Sequence, residues 1–324
     1  GYYPGYLGAL GLYNAEGVYT EAVAFDEESG ALTLIKTTPR GAPAQQLGHN
    51  KGKTRYAKTA RLALEAPITA DMVAGVRVLG GAGQLQTAQR LLMKQVDGPT
   101  GLKAALTATN EHMYLGGIDG VVYDADGAKV LWDFFNQYGV ARPDPVSFAF
   151  GAFTADGGQF AAGCMALKRE VVKALNGLSL GGMRIVVLCG DNFYDAAYSN
   201  KEGVAARKAG ATGKDKAEDI ISANKAYSSF EFGGFTWVNY KGSDDGKVSV
   251  PTNEARLFVH GVPGLFRTFF APADTWDFVN TEGLPFYLLQ RPEKQTSSAR
   301  VFEIQSNIMA LCMRPLHLRR LVKA

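Results

Sequence analysis

Cysteine is scarce in this sequence. Cys164, Cys189 and Cys312 are odd in number and far apart, which argues against the disulfide framework of a secreted domain and fits a reducing compartment. No CxxC or HExxH pattern occurs, and the four histidines, His49, His112, His260 and His317, are isolated in the sequence. A zinc site therefore has no support, and no cofactor is expected. No apolar run approaches the roughly 18 residues of a membrane span, and the opening residues do not read as a secretion signal. Acidic residues are missing from one stretch. Between Arg40 and Leu64 stand Arg40, Lys51, Lys53, Arg55, Lys58 and Arg61, with no Asp or Glu.

That stretch carries +6 in a chain whose net charge is +3, so the remainder carries −3. A strongly positive segment on a mildly acidic body needs a partner or a solvated face. The rest of the composition is globular, with 46% hydrophobic and 20% charged residues over 324 positions. This length is enough for two compact domains.

Residues 19–38 alternate as two strands around a Glu-Glu-Ser-Gly turn. A polar, Gly- and Pro-rich stretch follows, and TRYAKTARLALE (54–65) returns as extended arms. The excursion has few large apolar residues near its tip and cannot build a core of its own; long loops of this kind act outside the core. Thr69-Ala-Asp71 is expected to start a helix through Leu79. Leu85, Ala88, Leu92 and Val96 share a helical face, and Leu102, Leu106, Thr109 and Met113 resume it after Gly98-Pro99. The pattern predicts a long helix, kinked or restarted there and ended by Gly116-Gly117. VVYDADGAKVLWDFF predicts a hairpin turning at Asp126-Gly127. Phe160, Cys164, Leu167, Val171 and Leu175 mark one stripe of a helix stopped by Asn176-Gly177. Further strands are expected in RIVVLC, FEFGGFTWVNYKG and ARLFVHGV, and two long strands with a basic close in the last third. Helices and strands mix without a regular βαβ repeat, so the class is α+β.

Several near-motifs fail on inspection. GHNKGKT (48–54) lacks one residue of a phosphate-binding loop and has no preceding apolar strand. Gly81-Ala-Gly83 lacks the third glycine of a dinucleotide fingerprint, Gln86 standing in its place. In CGDNFYDAA (189–197), Cys189 or Asp191 at a strand end suggests a small soluble hydrolase, with His260 or His317 as base. The plainer reading is a buried strand followed by a helix capped by Asp191 or Asn192. His317 stands among Arg314, Arg319 and Arg320, whose charges disfavour its protonation. Tyr56 between Arg55 and Lys58 suits a weak nucleic-acid surface, without specificity.

Six stretches together resemble the lambda-type tailed-bacteriophage major capsid proteins. They are GVYTEAVAFDEESGALTLIKTTPRG, GPTGLKAALTATNEHMYLGGIDGVVYDADG, RIVVLCGDNFYDA with FEFGGFTWVNYKG, GVPGLFRTFFAPADTWDFVNTEGLPFY, and QSNIMALCMRPLHLRRL. The similarity covers all but a short start of the chain. It implies the tailed-phage capsid fold of the Hong Kong ninety-seven type. On that pattern residues 1–18 are an N-terminal arm, 19–66 an extended β-hairpin loop, 67–150 a peripheral domain with a long spine helix, 151–275 an axial domain, and 276–324 strands returning to the peripheral domain. The implied function is non-enzymatic: a subunit that forms pentamers and hexamers of an icosahedral head enclosing double-stranded DNA. The resemblance also implies assembly in the bacterial host cytoplasm around scaffolding protein, with portal and decoration proteins as further partners and only non-specific DNA contact. Arg40, Lys51, Lys53, Arg55, Lys58 and Arg61 are then candidates to dock on a neighbour's Asp119, Asp124, Asp126 and Asp133.

Overall fold

The computed structural model describes residues 5–27, 53–72, 74, 88–175, 181–209, 227–240, 242–243, 246–292 and 299–324. A short helix α1 (Tyr6–Leu10) leads into strands β1 (Asn14–Gly17), β2 (Ala22–Glu27), β3 (Lys53–Lys58) and β4 (Ala60–Thr69). Helices α2 (Ala88–Asp97) and α3 (Leu102–Asp119) follow, then β5 (Val121–Tyr123), β6 (Val130–Asp133), α4 (Phe134–Tyr138) and β7 (Val146–Phe148). The second half runs α5 (Gln159–Leu175), β8 (Arg184–Cys189), α6 (Asp191–Ser199), α7 (Lys201–Ala209), β9 (Ser229–Phe232) and β10 (Phe235–Asn239). It closes with β11 (Glu254–His260), β12 (Phe266–Ala271), β13 (Tyr287–Pro292), β14 (Ala299–Cys312) and β15 (Arg319–Lys323).

Two sheets organise these elements. In the first, β14 is paired antiparallel with β4 on one edge, through residues 299–308. Its other edge takes β13 along 300–305 and β12 along 307–312. Strand β1 adds in parallel to β12. The second sheet has the order β7-β15-β11-β8-β10-β9. β8 is buried over all residues but its first, as a strand covered on both faces must be. The apolar stripe of α5 and the aromatic face of α6 lie against an aromatic cluster. Phe160 stacks on Phe232 at 4.5 Å between centroids and meets Trp237 at 5.3 Å, while Phe193 stacks on Trp237 at 6.3 Å. Buried Glu202 of α7 accepts from the N–H groups of Phe160 (2.8 Å) and Ala161 (3.0 Å) and so caps α5 from outside.

The expected long helix is two helices broken at 98–101, and Gly116-Gly117 do not end the second. Both lie inside α3; Gly120, in the left-handed region at φ 84°, terminates it. A Cβ on Gly117 would collide with the Tyr13 hydroxyl, which donates to the Tyr114 carbonyl at 2.9 Å. The glycine is there for close approach rather than for a turn. The stretch begun by Thr69 forms a 3-10 turn at Ala70–Met72, and most of the helix expected beyond it lies outside the described residues. From Ala60 onward the returning arm of the loop is a sheet strand. β15 joins the six-stranded sheet between β7 and β11 rather than the five-stranded one, because Leu321 and its neighbours find both edges there.

Replacing the fully buried Phe160 with Ala is expected to cost about 3–5 kcal/mol. Met165→Ala, on the exposed face of the same helix, should stay within about 0.5 kcal/mol. Denaturant unfolding of the unassembled subunit measures both, and equal midpoints would contradict the packing described.

Candidate assembly interface

The base of the long loop is bolted to its own chain. β2 and β3 pair antiparallel from Ala22↔Lys58 to Glu27↔Lys53. Val23 and Phe25 are buried, with Phe25 6.0 Å from the Tyr138 ring. Arg55 donates to the carbonyls of Gln137 and Tyr138 and lies 5.2 Å over the Tyr138 ring. The Trp132 indole donates to the Lys58 carbonyl at 2.9 Å. A loop with little apolar content is thus held at its root by a few buried side chains and backbone contacts, while Lys53, Tyr56 and Lys58 stay exposed on β3. An open groove of about 490 Å³ lies between this root and β6–α4, lined by Tyr56, Lys58, Val130, Trp132, Asp133 and Gln137. From its sequence this excursion has no core of its own; its described root is held by packing on the same chain, and residues 28–52 lie outside the described residues.

The ten charge candidates divide. Arg40 and Lys51 lie outside the described residues. Arg55 serves the root contact, and Arg61 pairs within the chain with Asp274 (2.5 Å) and buried Glu303 (3.0 Å). Asp119 is engaged by Arg142 (2.7 Å) and by Arg256, which also meets Glu254 at 2.7 Å. Asp124 and Asp126 close the β5–β6 turn by accepting backbone N–H groups. The Ala128 and Lys129 N–H groups hold the Asp126 carboxyl below its usual range. Asp133 caps α4 through the Asn136 N–H at 3.1 Å. Lys53 and Lys58 on the loop root, and the acidic hairpin carrying Asp124, Asp126 and Asp133, remain presented outward, and Lys58 and Asp133 line the same groove.

Glu111 is not among the sequence-based candidates, yet it ties three parts of the molecule together. Only 1% exposed, it accepts from the N–H groups of Leu7 (2.8 Å) and Gly8 (3.1 Å) and from the Tyr240 hydroxyl (3.1 Å). Burial pushes its carboxyl above the usual range, and these donors partly hold it down. Its position was readable in principle: Glu111 shares the inward stripe of α3 with Leu115 and Ile118, four and seven residues on.

The hydrolase alternative finds no chemistry. Cys189 is fully buried, and burial pushes its thiol well above the ordinary range. Its register partners are Ala255 and Asn239. His260 pairs with Arg184 at the far end of β8, about 17 Å along the strand. Asp191 does not cap α6 as expected; Gly190 is the cap residue and Asp191 stands in the first turn. Among the described residues no cluster of His, Cys, Asp and Glu could hold a metal, and no helix is long and apolar enough to cross a membrane.

Comparison with known proteins decides between a shell subunit and a small enzyme. The family model described as phage major capsid protein E matches residues 2–323. The chain belongs to this family. The capsid protein is 24% identical over 299 residues to the major capsid protein of Pseudomonas phage KPP10, covering 87% of this chain and 82% of that one. Its fold is that of a prophage capsid protein candidate from E. coli CFT073, with TM-score 0.56, 12% identity and coverage of 100% and 94% of the two chains. The capsid of Mycobacterium phage Bobi gives TM-score 0.53 at 11% identity, covering 100% and 92%. The protein is therefore a non-enzymatic, shell-forming component of a phage head with the α+β, Hong Kong ninety-seven type fold.

Two predictions follow from buried titratable groups. Glu111→Ala strands the buried Leu7 N–H and removes the acceptor of the part-buried Gly8 N–H, each hydrogen bond to a charged group being worth about 1.5–3 kcal/mol. The N-terminal helix should open about 100-fold more often, read as faster proteolysis between Tyr6 and Leu12; equal cleavage rates would contradict the latch. Burial, with a smaller contribution from the nearby Arg319, lowers the His317 pKa from 6.5 to about 4. The folded value lies below the unfolded one. The ring's contribution is complete above pH 6.5 and is lost as pH falls towards 4, about 3 kcal/mol in all. In His317→Asn, whose amide can still reach the Arg314 carbonyl, the unfolding midpoint of the free subunit should depend less on pH across this window. An unchanged profile would assign the acid lability elsewhere.

Proposed function

We propose that this capsid protein forms pentamers and hexamers that close into an icosahedral head around double-stranded DNA. A precursor shell forms first, around scaffolding protein in the bacterial host cytoplasm; portal and decoration proteins are further partners, and DNA contact is non-specific. The single observation carrying this reading is the family match along almost the whole chain, residues 2–323. The architecture supports a division of labour. Residues 1–18 act as the arm, 19–66 as the extended loop, 67–150 as the peripheral domain with α2 and α3 as its spine, 151–275 as the axial domain, and 276–324 as the return, except that its last strand, β15, closes the six-stranded sheet.

Assembly of this kind multiplies weak contacts by symmetry and ring closure. We assign the outward charges of the loop root, Lys53 and Lys58, together with Arg40 and Lys51 of the same basic stretch, which lie outside the described residues, to contact with a neighbour's acidic hairpin at Asp124, Asp126 and Asp133. Exposed pairs are worth about 0–1 kcal/mol each, so they set register and steer encounter more than they add strength. Arg55, Arg61 and Asp119 support these surfaces from within each subunit.

Replacing Lys53 and Lys58 together with Glu should lower shell yield and make assembly less sensitive to salt, with the subunit's own melting unchanged. Sedimentation of assembly reactions across a salt series measures this. Shells formed in normal yield with an unaltered salt response would remove the basic root from the interface.

A further inference from the structure

We infer that the loop from Pro272 to Phe286 is a preformed docking knob whose anchor is Trp276, and that a second copy of this chain covers it. The inference deepens the shell-forming reading and rests on it.

The loop is built to hold one shape. It leaves the edge of β14 where β12 ends at the level of Asn307, and it returns where β13 begins at the level of Gln305. Both ends are fastened by β14 side chains: Asn307 donates to the Pro272 carbonyl at 2.5 Å, and Ser306 to the Pro285 carbonyl at 2.8 Å. The Gly283 N–H bonds the Val18 carbonyl at 3.0 Å, and the Leu284 N–H bonds the Tyr287 hydroxyl at 2.8 Å. Phe278 packs on Tyr287 with centroids 4.6 Å apart. Asn280 takes a left-handed conformation at φ 60°, as the only non-glycine residue among those described to do so, a turn geometry that asparagine adopts at little cost.

On this frame Trp276 is 93% exposed, and Val279, Leu284, Phe286 and Leu288 are exposed near it in sequence. Scattered apolar residues on a surface need no explanation. An almost wholly exposed indole on a fastened loop, with four further exposed apolar side chains within twelve residues of it, does, because exposed apolar groups gathered in this way mark interaction sites. An indole on a fixed loop loses little entropy on docking, and tryptophan is enriched among residues that dominate interfaces. Aromatic side chains bury roughly 150–250 Å² each, so this group supplies a large part of the roughly 800 Å² per partner of a standard interface.

Charge selects the occupant. From Thr268 to Gln290 the chain has Asp274, Asp277 and Glu282 and no Lys or Arg, a charge of −3, leaving +6 on the rest of the molecule; Asp274 is paired with Arg61 of the same chain, so Asp277 and Glu282 carry the loop's outward negative charge. Asp277 and Glu282 are exposed, one and six residues after Trp276. An acidic rim opposes insertion into an anionic membrane and favours a positively charged protein surface, which every other copy of this chain offers.

Intrinsic fluorescence of the full chain tests this directly. The sequence has three tryptophans, and Trp132 and Trp237 are buried, so acrylamide-accessible emission of free subunits belongs to Trp276. In shells assembled from the purified chain alone, that emission should shift to shorter wavelength and its quenching fall several-fold. Trp276→Ser should melt like the unsubstituted subunit and yield at least tenfold fewer shells. Shells of the unsubstituted chain in which Trp276 stays fully quenchable would overturn the inference and point to a different partner. Normal shell yield from Trp276→Ser would overturn it as well. Failure of the unsubstituted chain to form any particle, with scaffolding protein supplied as well as alone, would overturn both this inference and the shell-forming reading, and so is distinguishable from the other two.

Discussion

Strand β14 is the constraint on which the other elements depend. It is occupied on both edges, so every partner must match its register, and a slip by one residue would turn its inward side chains outward. Its apolar half is buried on both faces, with Ile308, Met309, Ala310, Leu311 and Cys312 all inaccessible. Its middle carries the polar Glu303, Gln305, Ser306 and Asn307, also buried. Buried polar groups are costly unless they are partnered, and here the partners are the functional segments. Glu303 takes Arg61 from the returning arm of the long loop. Ser306 and Asn307 take carbonyls at the two ends of the Trp276 loop. One strand thereby fixes, relative to each other, two segments that leave the subunit surface.

A second constraint works at the N-terminus. A carboxylate inside α3 can be kept only if donors converge on it, and Glu111 draws them from α1 and from Tyr240. The same logic holds α5 to α7 through Glu202. In both cases a buried acid satisfies the N–H groups of a helix start far away in sequence. Such contacts join separate pieces without a large apolar area, which suits an arm and a helix pair that sit at the margins of the two sheets.

The elements with strong periodicity were legible from sequence. The α5 stripe, the β8 run and the Asp126-Gly127 hairpin stand where alternation and turn chemistry place them. What could not be read was tertiary in origin. Gly116 and Gly117 look like a stop signal but are helical, because Tyr13 and Val122 press against them from elsewhere in the chain. β15 reads as a basic closing segment and becomes an interior strand because β7 and β11 each leave an edge open. For the interface, the charges of the loop were visible as a block, but their division was not. Arg55 and Arg61 are consumed by carbonyls and acids over eighty and over two hundred residues away, whereas Lys53 and Lys58 stay outside. The weight of Trp276 was equally hidden, since a tryptophan in a mixed apolar stretch reads as core until its exposure is seen.

Reactive groups and presented groups also separate cleanly, and the separation explains why this fold carries no chemistry of its own. All three cysteines are buried, with Cys164 and Cys312 pushed up to about 12 chiefly by burial, so none is a thiolate near neutrality. The His317 ring is enclosed and neutral. The side chains turned outward around the loop root, the acidic hairpin and the Trp276 loop are lysines, aspartates and aromatics without a base or nucleophile poised among them. On the proposed reading those side chains recognise a surface of a neighbouring copy. A subunit that spends its buried polar groups on fixing the angles between outward segments, and its exposed groups on complementary charge and shape, is organised for repeated contact with copies of itself.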